Sequence, residues 1–257
     1  MMIFQRLTLL ALLVMATLTQ VWADDSRLQR ILEDGVLRVG TTGDWDPMSL
    51  RNPATNDYQG FDIDLAKSLA EDLGVKLELI PADWKTLVNG VVADKYDMST
   101  SASINMKRAK VAGYSQPYFS VGTVPLVKRS DLEKFTGWDS INNSSVKVAV
   151  TLGTVFEQEA KDYFPDATLK SVEAPARGFQ ELLSGRAQVA LTSNLEASKL
   201  VAKYQNLVVL PVAPRKAKPL AILLPQDDQV WINYVNHWIT FRKAQGFFSE
   251  LEQRWMP

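Results

Sequence analysis

Between Met98 and Phe119 the chain reads MSTSASINMKRAKVAGYSQPYF, and these residue types suit the capture of an anion. Four hydroxyls, Ser99, Thr100, Ser101 and Ser103, come directly after Lys95-Tyr96-Asp97-Met98, whose alternation predicts the end of a strand. Arg108 follows five residues after Ser103. A helix opened by Ser103 and Asn105 would present unpaired backbone N–H groups and a positive dipole end, and Arg108 would add a two-pronged guanidinium. Together they make a carboxylate receptor. The same residues also describe an N-capped surface helix with a solvated Lys107-Arg108 pair, and the segment alone leaves both readings open.

Composition removes several other chemistries. There are no cysteines, which excludes disulfides, thiolate metal sites and cysteine catalysis. A single histidine, His237, argues against a histidine-based metal site or a Ser-His-Asp triad, and its amphipathic surroundings predict a surface or packing role. No metal and no cofactor are expected. With 28 basic and 29 acidic residues, the charge balance points to neither nucleic acid nor an anionic membrane as partner.

The elements that position the candidates alternate between strand and helix. Val36 to Val39 reads as a first strand, and the polar loop Thr41-Thr42-Gly43-Asp44-Trp45-Asp46-Pro47 follows at its carboxyl end, where open α/β sheets bind ligands. Asp44 is a candidate contact there, and Trp45 either walls the ligand or covers the edge of the core. Asp62 to Leu73 has helical spacing and stops at Gly74, Lys76 to Ile80 is a strand, and a helix runs through Leu87, Val88 and Val91. Asp83 as its N-cap would bring Trp84 to a second strand-to-helix loop. After a crossing near Val121 to Arg129 the plan repeats: strand Val146 to Val150, loop Thr151-Leu152-Gly153-Thr154, helix Val155 to Tyr163. Thr151 and Thr154 are therefore candidate contacts from the second unit. A helix from Gly178 to Leu183 and strands at 188–191 and 207–210 complete that unit. Pro214 to Pro219 reads as the return crossing, Leu220 to Leu224 as a buried strand, and 227–242 and 246–254 as closing helices.

The N-terminal stretch has one basic residue, Arg6, an apolar run from Leu9 to about Leu18, and the ending Val21-Trp22-Ala23. That run is too short for a membrane span and predicts a signal peptide cleaved after Ala23, hence a periplasmic protein. The whole reading is α/β: two lobes, 24–120 plus 217–257 and 121–216, joined by two crossings and binding ligand in the cleft between them.

The order Ser-x-Ser-Ile-Asn-x-x-Arg followed by Tyr-Ser-Gln-Pro-Tyr resembles the signature of the bacterial solute-binding proteins of family 3, and Gly60-Phe61-Asp62-Ile63-Asp64-Leu65-Ala66 resembles that family's second hallmark. The resemblance implies the type II clamshell fold of periplasmic binding proteins, a small carboxylate or amino-acid-like ligand held by Ser101, Ser103 and Arg108, and an inner-membrane ABC permease as partner. Family members that bind amino acids carry an aspartate for the α-ammonium where this chain aligns Ser193. A serine supplies no counter-charge to a desolvated ammonium, so a small acid lacking that group, stacked on Trp45 or Trp84, suits the chain better.

The first lobe further resembles the cyclohexadienyl dehydratases, enzymes on the same fold that convert prephenate or arogenate. The residues that carry this include Gly35-Val36-Leu37-Arg38-Val39, Thr41-Thr42-Gly43-Asp44 and Trp84. Glu196 falls at the position resembling their general acid, and in an apolar cleft it would acquire the raised pKa that protonating a leaving hydroxyl needs. The bland alternative puts Glu196 on the outer face of a helix with Lys199 as partner. Ser193 stands where the dehydratases carry aspartate, and Thr151 where they carry asparagine. Both departures favour a receptor over an enzyme.

Overall fold

The structure, a computed structural model, describes residues 26–256, so the expected signal peptide lies outside the described residues. Ser26 caps α1 (Arg27–Asp34) by accepting from the Leu28 amide, and β1 (Val36–Thr41) follows. The loop after β1 folds into a small antiparallel sheet of β2 (Asp44–Trp45), β3 (Ser49–Arg51) and β4 (Tyr58–Gln59). α2 (Phe61–Leu73) buries Phe61, Leu65, Ala66, Leu69 and Leu73 on one face, and Gly74 ends it in the left-handed conformation at φ 71°. β5 (Lys76–Pro81) then runs parallel to β1, with Val36 opposite Lys76 and Thr41 opposite Pro81. The short helix α3 (Leu87–Val92) leads to β6 (Met98–Ser103), which pairs parallel to the other edge of β1.

β6 departs from the expectation raised by its sequence. The hydroxyl run does not follow a strand; it is the strand, and every residue from Met98 to Ser103 is buried. No α-helix opens at Ser103. A single 3₁₀ turn over Arg108–Lys110 takes its place, with Asn105 Oδ1 accepting from the Arg108 amide at 2.9 Å. Serine and threonine read as turn formers in isolation, but here β6 is paired on both edges, to β1 and to the returning strand near Leu220, and small side chains suit that crowded position.

After β7 (Gly113–Tyr114), β8 (Phe119–Lys128) carries the chain into the second lobe. That lobe is built from β9 (Lys147–Thr151), α4 (Val155–Tyr163), β10 (Thr168–Val172), α5 (Gly178–Leu183), β11 (Val189–Ser193), α6 (Asn194–Lys203) and β12 (Leu207–Val209). β9 is parallel to β10 and β11, as crossover helices require. The return is one continuous strand, β13 (Arg215–Leu224), rather than a loop followed by a strand. β8 and β13 pair antiparallel across the junction, with Ser120 opposite Pro219. α7 (Gln229–Ala244) and α8 (Phe247–Trp255) close the first lobe, and His237 is exposed on α7.

Strands follow the order β10-β9-β11-β8-β13-β6-β1-β5, so the two crossing strands sit between the two parallel sets. Each set has its own core. Phe61, Leu65, Leu69, Trp231, Val235 and Phe248 pack together in the first lobe; Val148, Val150, Phe164, Val189 and Leu191 do so in the second. This is the two-lobed type II clamshell with two interlobe crossings. Among the described residues no helix is long and apolar enough to cross a membrane, and no group of histidine, cysteine and acidic residues is arranged to hold a metal.

Candidate functional site

A cavity of about 360 Å³, counting its open mouth, lies where the carboxyl end of β6 and the loop after β1 face the loop after β9. Trp45, Trp84 and Phe156 supply its aromatic faces, with Trp45 and Trp84 in edge-to-face contact at 5.7 Å and 75°. Trp45 lines the cavity and also packs into the first core. Ser101, Ser103 and Thr154 supply hydroxyls. The charged side chains lining it, among the described residues, are Arg108 and Arg177, and no carboxylate does so.

The first-lobe donors are held by the motif that follows them. Ser101 has φ +47°, a left-handed backbone that a serine adopts at some cost in energy. Its amide donates to the Tyr118 hydroxyl at 2.6 Å, and its own hydroxyl donates to Asp62 Oδ1 at 2.5 Å. Tyr114 donates to the Ser103 carbonyl at 3.1 Å, and the Gln116 amide donates to Asn236 Oδ1 at 2.6 Å. Tyr-Ser-Gln-Pro-Tyr is therefore a brace for β6. Asp62 belongs to a second cavity of about 230 Å³ that shares Trp45 and Trp84 with the first. Burial pushes its carboxyl up to about 7, against the hydrogen bond from Ser101, which makes it a weak counter-ion at neutral pH.

Arg108 is half-buried, and its Nη2 donates to the Gly153 carbonyl of the opposite lobe at 3.1 Å. Among the described residues no carboxylate pairs with this guanidinium. Desolvation pushes it below the ordinary arginine value, with the Tyr114 hydroxyl acting in the opposite sense. A desolvated cation without a counter-ion is stabilised by an incoming anion, and bidentate carboxylate binding suits the guanidinium fork.

The second-lobe wall is organised around a residue that sequence reasoning missed. Arg177, just before α5, is 7% exposed; its Nη1 donates to Asp44 Oδ2 at 3.0 Å and its Nη2 to Glu196 Oε1 at 2.6 Å. Its guanidinium lies 5.7 Å from the Trp84 ring, and its Nε has no hydrogen-bond partner among the described residues. Asp44 also accepts from Trp84 Nε1 at 2.9 Å. Nothing in the local sequence Pro175-Ala176-Arg177-Gly178 marks this arginine, because one partner is 133 positions away.

Four expected contacts sit differently from the readings of the sequence, the first being Asp44, whose carboxylate is taken by Arg177 and Trp84 and does not line the cavity. Glu196 is on neither an apolar cleft wall nor an outer helix face: it is buried in the first turn of α6, accepting from Arg177 and from the Thr192 hydroxyl. Ser193 is fully buried as the N-cap of α6, accepting from the Glu196 amide at 3.1 Å and from Trp45 Nε1 at 3.3 Å, so its side chain is used up behind the wall. Thr151 is buried and accepts from the Gly178 amide at 3.2 Å, while Thr154 reaches the cavity.

The lobes are closed on one another. Trp45 to Ser193, Arg177 to Asp44 and Arg108 to Gly153 all cross the cleft. Gly153, at φ +81°, packs so closely on the opposite lobe that a Cβ there would lie 2.6 Å from the Lys85 backbone.

The family model for bacterial extracellular solute-binding proteins, family 3, matches residues 37–257, and the chain belongs to that family. It is 34% identical over 254 residues to the cyclohexadienyl dehydratase of Pseudomonas aeruginosa, covering 98% of this chain and 93% of the relative. It is 25% identical to the L-cystine-binding protein of Escherichia coli over 91% of this chain and 87% of that one. A crystal structure of an ancestral amino-acid-binding protein, described as a precursor of cyclohexadienyl dehydratase, superposes with a TM-score of 0.84. It is 36% identical and covers 90% of this chain and all of the other.

Proposed function

We propose that this family 3 solute-binding protein is a periplasmic receptor that closes on a small carboxylate lacking an α-ammonium and delivers it to an inner-membrane ABC permease. The observation that carries this reading is the pairing around the cavity: Arg108 lines it with no acidic partner among the described residues, while Asp44 and Glu196 are held by Arg177 and do not line it. Arg108 takes the ligand carboxylate as a two-pronged ion pair, Ser103 supplies a hydroxyl donor, Ser101 and Thr154, whose protons go to Asp62 and to the Thr151 carbonyl, border the ligand as acceptors, and Trp45 and Trp84 pack on the body of the molecule. Contacts from both lobes tie binding to closure. The lobes of this reading are 24–120 plus 217–257 and 121–216, with cleavage of the signal peptide after Ala23.

The 34% identity to a cyclohexadienyl dehydratase supports a second reading, in which Glu196 is the general acid for loss of water and carbon dioxide from prephenate. Against it, both Glu196 oxygens already accept hydrogen bonds and Arg177 stands between Glu196 and the cavity. A thermal-shift screen of ligand-stripped protein against carboxylates, amino acids and prephenate, with phenylpyruvate formation followed in alkali, separates the two. Stabilisation by small acids without turnover is expected. Turnover on the order of 1 to 10³ per second, lost in Glu196→Gln, would establish the enzyme instead.

A further inference from the structure

Two acidic side chains approach the cleft, Asp44 from the first lobe and Glu196 from the second, and one guanidinium holds both. Arg177 lines the cavity; its two partners do not. A ligand ammonium entering from the Arg108 side would meet the guanidinium before it met either carboxylate. From this geometry we infer that Arg177 sets the charge class of the ligand: it occupies the place of an α-ammonium, so the cavity selects 2-oxo, 2-hydroxy or unsubstituted acids over the matching α-amino acids. The inference rests on Arg108 as the carboxylate anchor and adds the source of selectivity to that reading.

The physical basis is masking: Asp44 and Glu196 are both paired with the Arg177 guanidinium, and a ligand ammonium would have to displace hydrogen bonds of 2.6 and 3.0 Å to reach either acid. Trp84, whose ring lies 5.7 Å from the guanidinium and whose Nε1 donates to Asp44, fixes both partners in place. Taking the charge from Arg177 unmasks two carboxylates on the cavity wall, an environment suited to an ammonium.

A different role for Arg177 must be told apart, because its bond to Asp44 also bridges the lobes. A simple latch would weaken every ligand alike when removed, whereas a selectivity residue changes the ratio between two ligands that differ only at the α carbon. The test is isothermal calorimetry with ligand-stripped protein and matched pairs: pyruvate and L-alanine, phenylpyruvate and L-phenylalanine, 2-oxoglutarate and L-glutamate. Wild-type protein should prefer the oxo acid of each pair it binds. Arg177→Gln should move the ratio by at least about tenfold toward the amino acid. Should that variant fold poorly with two unpaired acids, Arg177→Gln combined with Glu196→Gln leaves Asp44 alone unmasked and should shift the ratio in the same direction. Equal weakening of both members, or an unchanged ratio in a folded variant, overturns the inference. Wild-type preference for the amino acid, or binding of no pair, also overturns it. Arg108→Ala is run in parallel: if it retains wild-type affinity, the carboxylate anchor itself is wrong, whereas loss of binding there with an unmoved ratio at Arg177 removes the selectivity inference alone.

Discussion

The two walls of the cleft treat charge in opposite ways. On the first-lobe wall Arg108 bonds a backbone carbonyl and has no acidic partner among the described residues, and the nearby hydroxyls of Ser101 and Ser103 border the same cavity. On the second-lobe wall Arg177 and Glu196 satisfy one another, with Asp44 reaching across to join them. One wall therefore awaits an anion, and the other already holds its own counter-ions. A cation is worth most to a ligand where the protein has left it uncompensated, so affinity should reside chiefly in the first lobe.

Replacing Arg108 tests this contrast with the largest expected effect. Losing one partner of a desolvated charge pair costs about 2 to 5 kcal/mol, so Arg108→Ala should weaken carboxylate binding roughly 30- to 4,000-fold by calorimetry while the melting temperature stays close to that of wild type. Next comes the contact between the walls. Gly153→Ala places a Cβ against the Lys85 and Trp84 backbones, so closure should be obstructed and affinity should drop by about tenfold or more; small-angle scattering would find the liganded variant more open than wild type. A single uncharged hydroxyl should matter less. Thr154→Ala should cost about 0.5 to 1.5 kcal/mol, or roughly 2- to 10-fold in affinity.

Much of the first wall was legible in the sequence and little of the second. The α2 helix follows from apolar residues at helical spacing ending in Gly74, and α4 and α5 begin and end where periodicity places them. Arg108 with its serines was marked by residue types close together in the chain. Even there the local structure was misread: a serine-rich run resembles a helix start, and only the pairing of β6 with β1 and β13 makes it a buried strand with Ser101 left-handed. The small sheet of β2, β3 and β4 was invisible because two- and three-residue strands carry no periodicity. Arg177 was missed for another reason. Its importance comes from partners 19 and 133 positions away, and such pairing leaves no local pattern. Glu196 was found, but its environment depends on Arg177 and so was wrongly anticipated.

Beneath the first wall, Asp62 gives the smallest effect, on stability rather than affinity. Its carboxyl titrates near 7 in the folded protein against 3.8 ordinarily, because burial disfavours the charge. Between about pH 4 and 7 the folded state retains a proton that the unfolded chain has released, so this group's contribution declines as pH rises through that window and levels off above it. Asp62→Asn, which resembles the protonated form, should flatten the dependence and melt at a higher temperature relative to wild type at pH 8 than at pH 4.5. Parallel melting curves for the two proteins would show that Asp62 does not titrate in this range.

The claim that the cleft is a receptor for an acid without an α-ammonium is tested most directly by titrating ligand-stripped wild-type protein with one matched pair at a time, a 2-oxo acid and its α-amino acid, at pH 7 and constant ionic strength. The expected result is that the oxo acid binds at least about tenfold more tightly, a difference of roughly 1.4 kcal/mol, with the calorimetric signal lost in Arg108→Ala. Tight binding of the amino acid with no response to its oxo acid would contradict it.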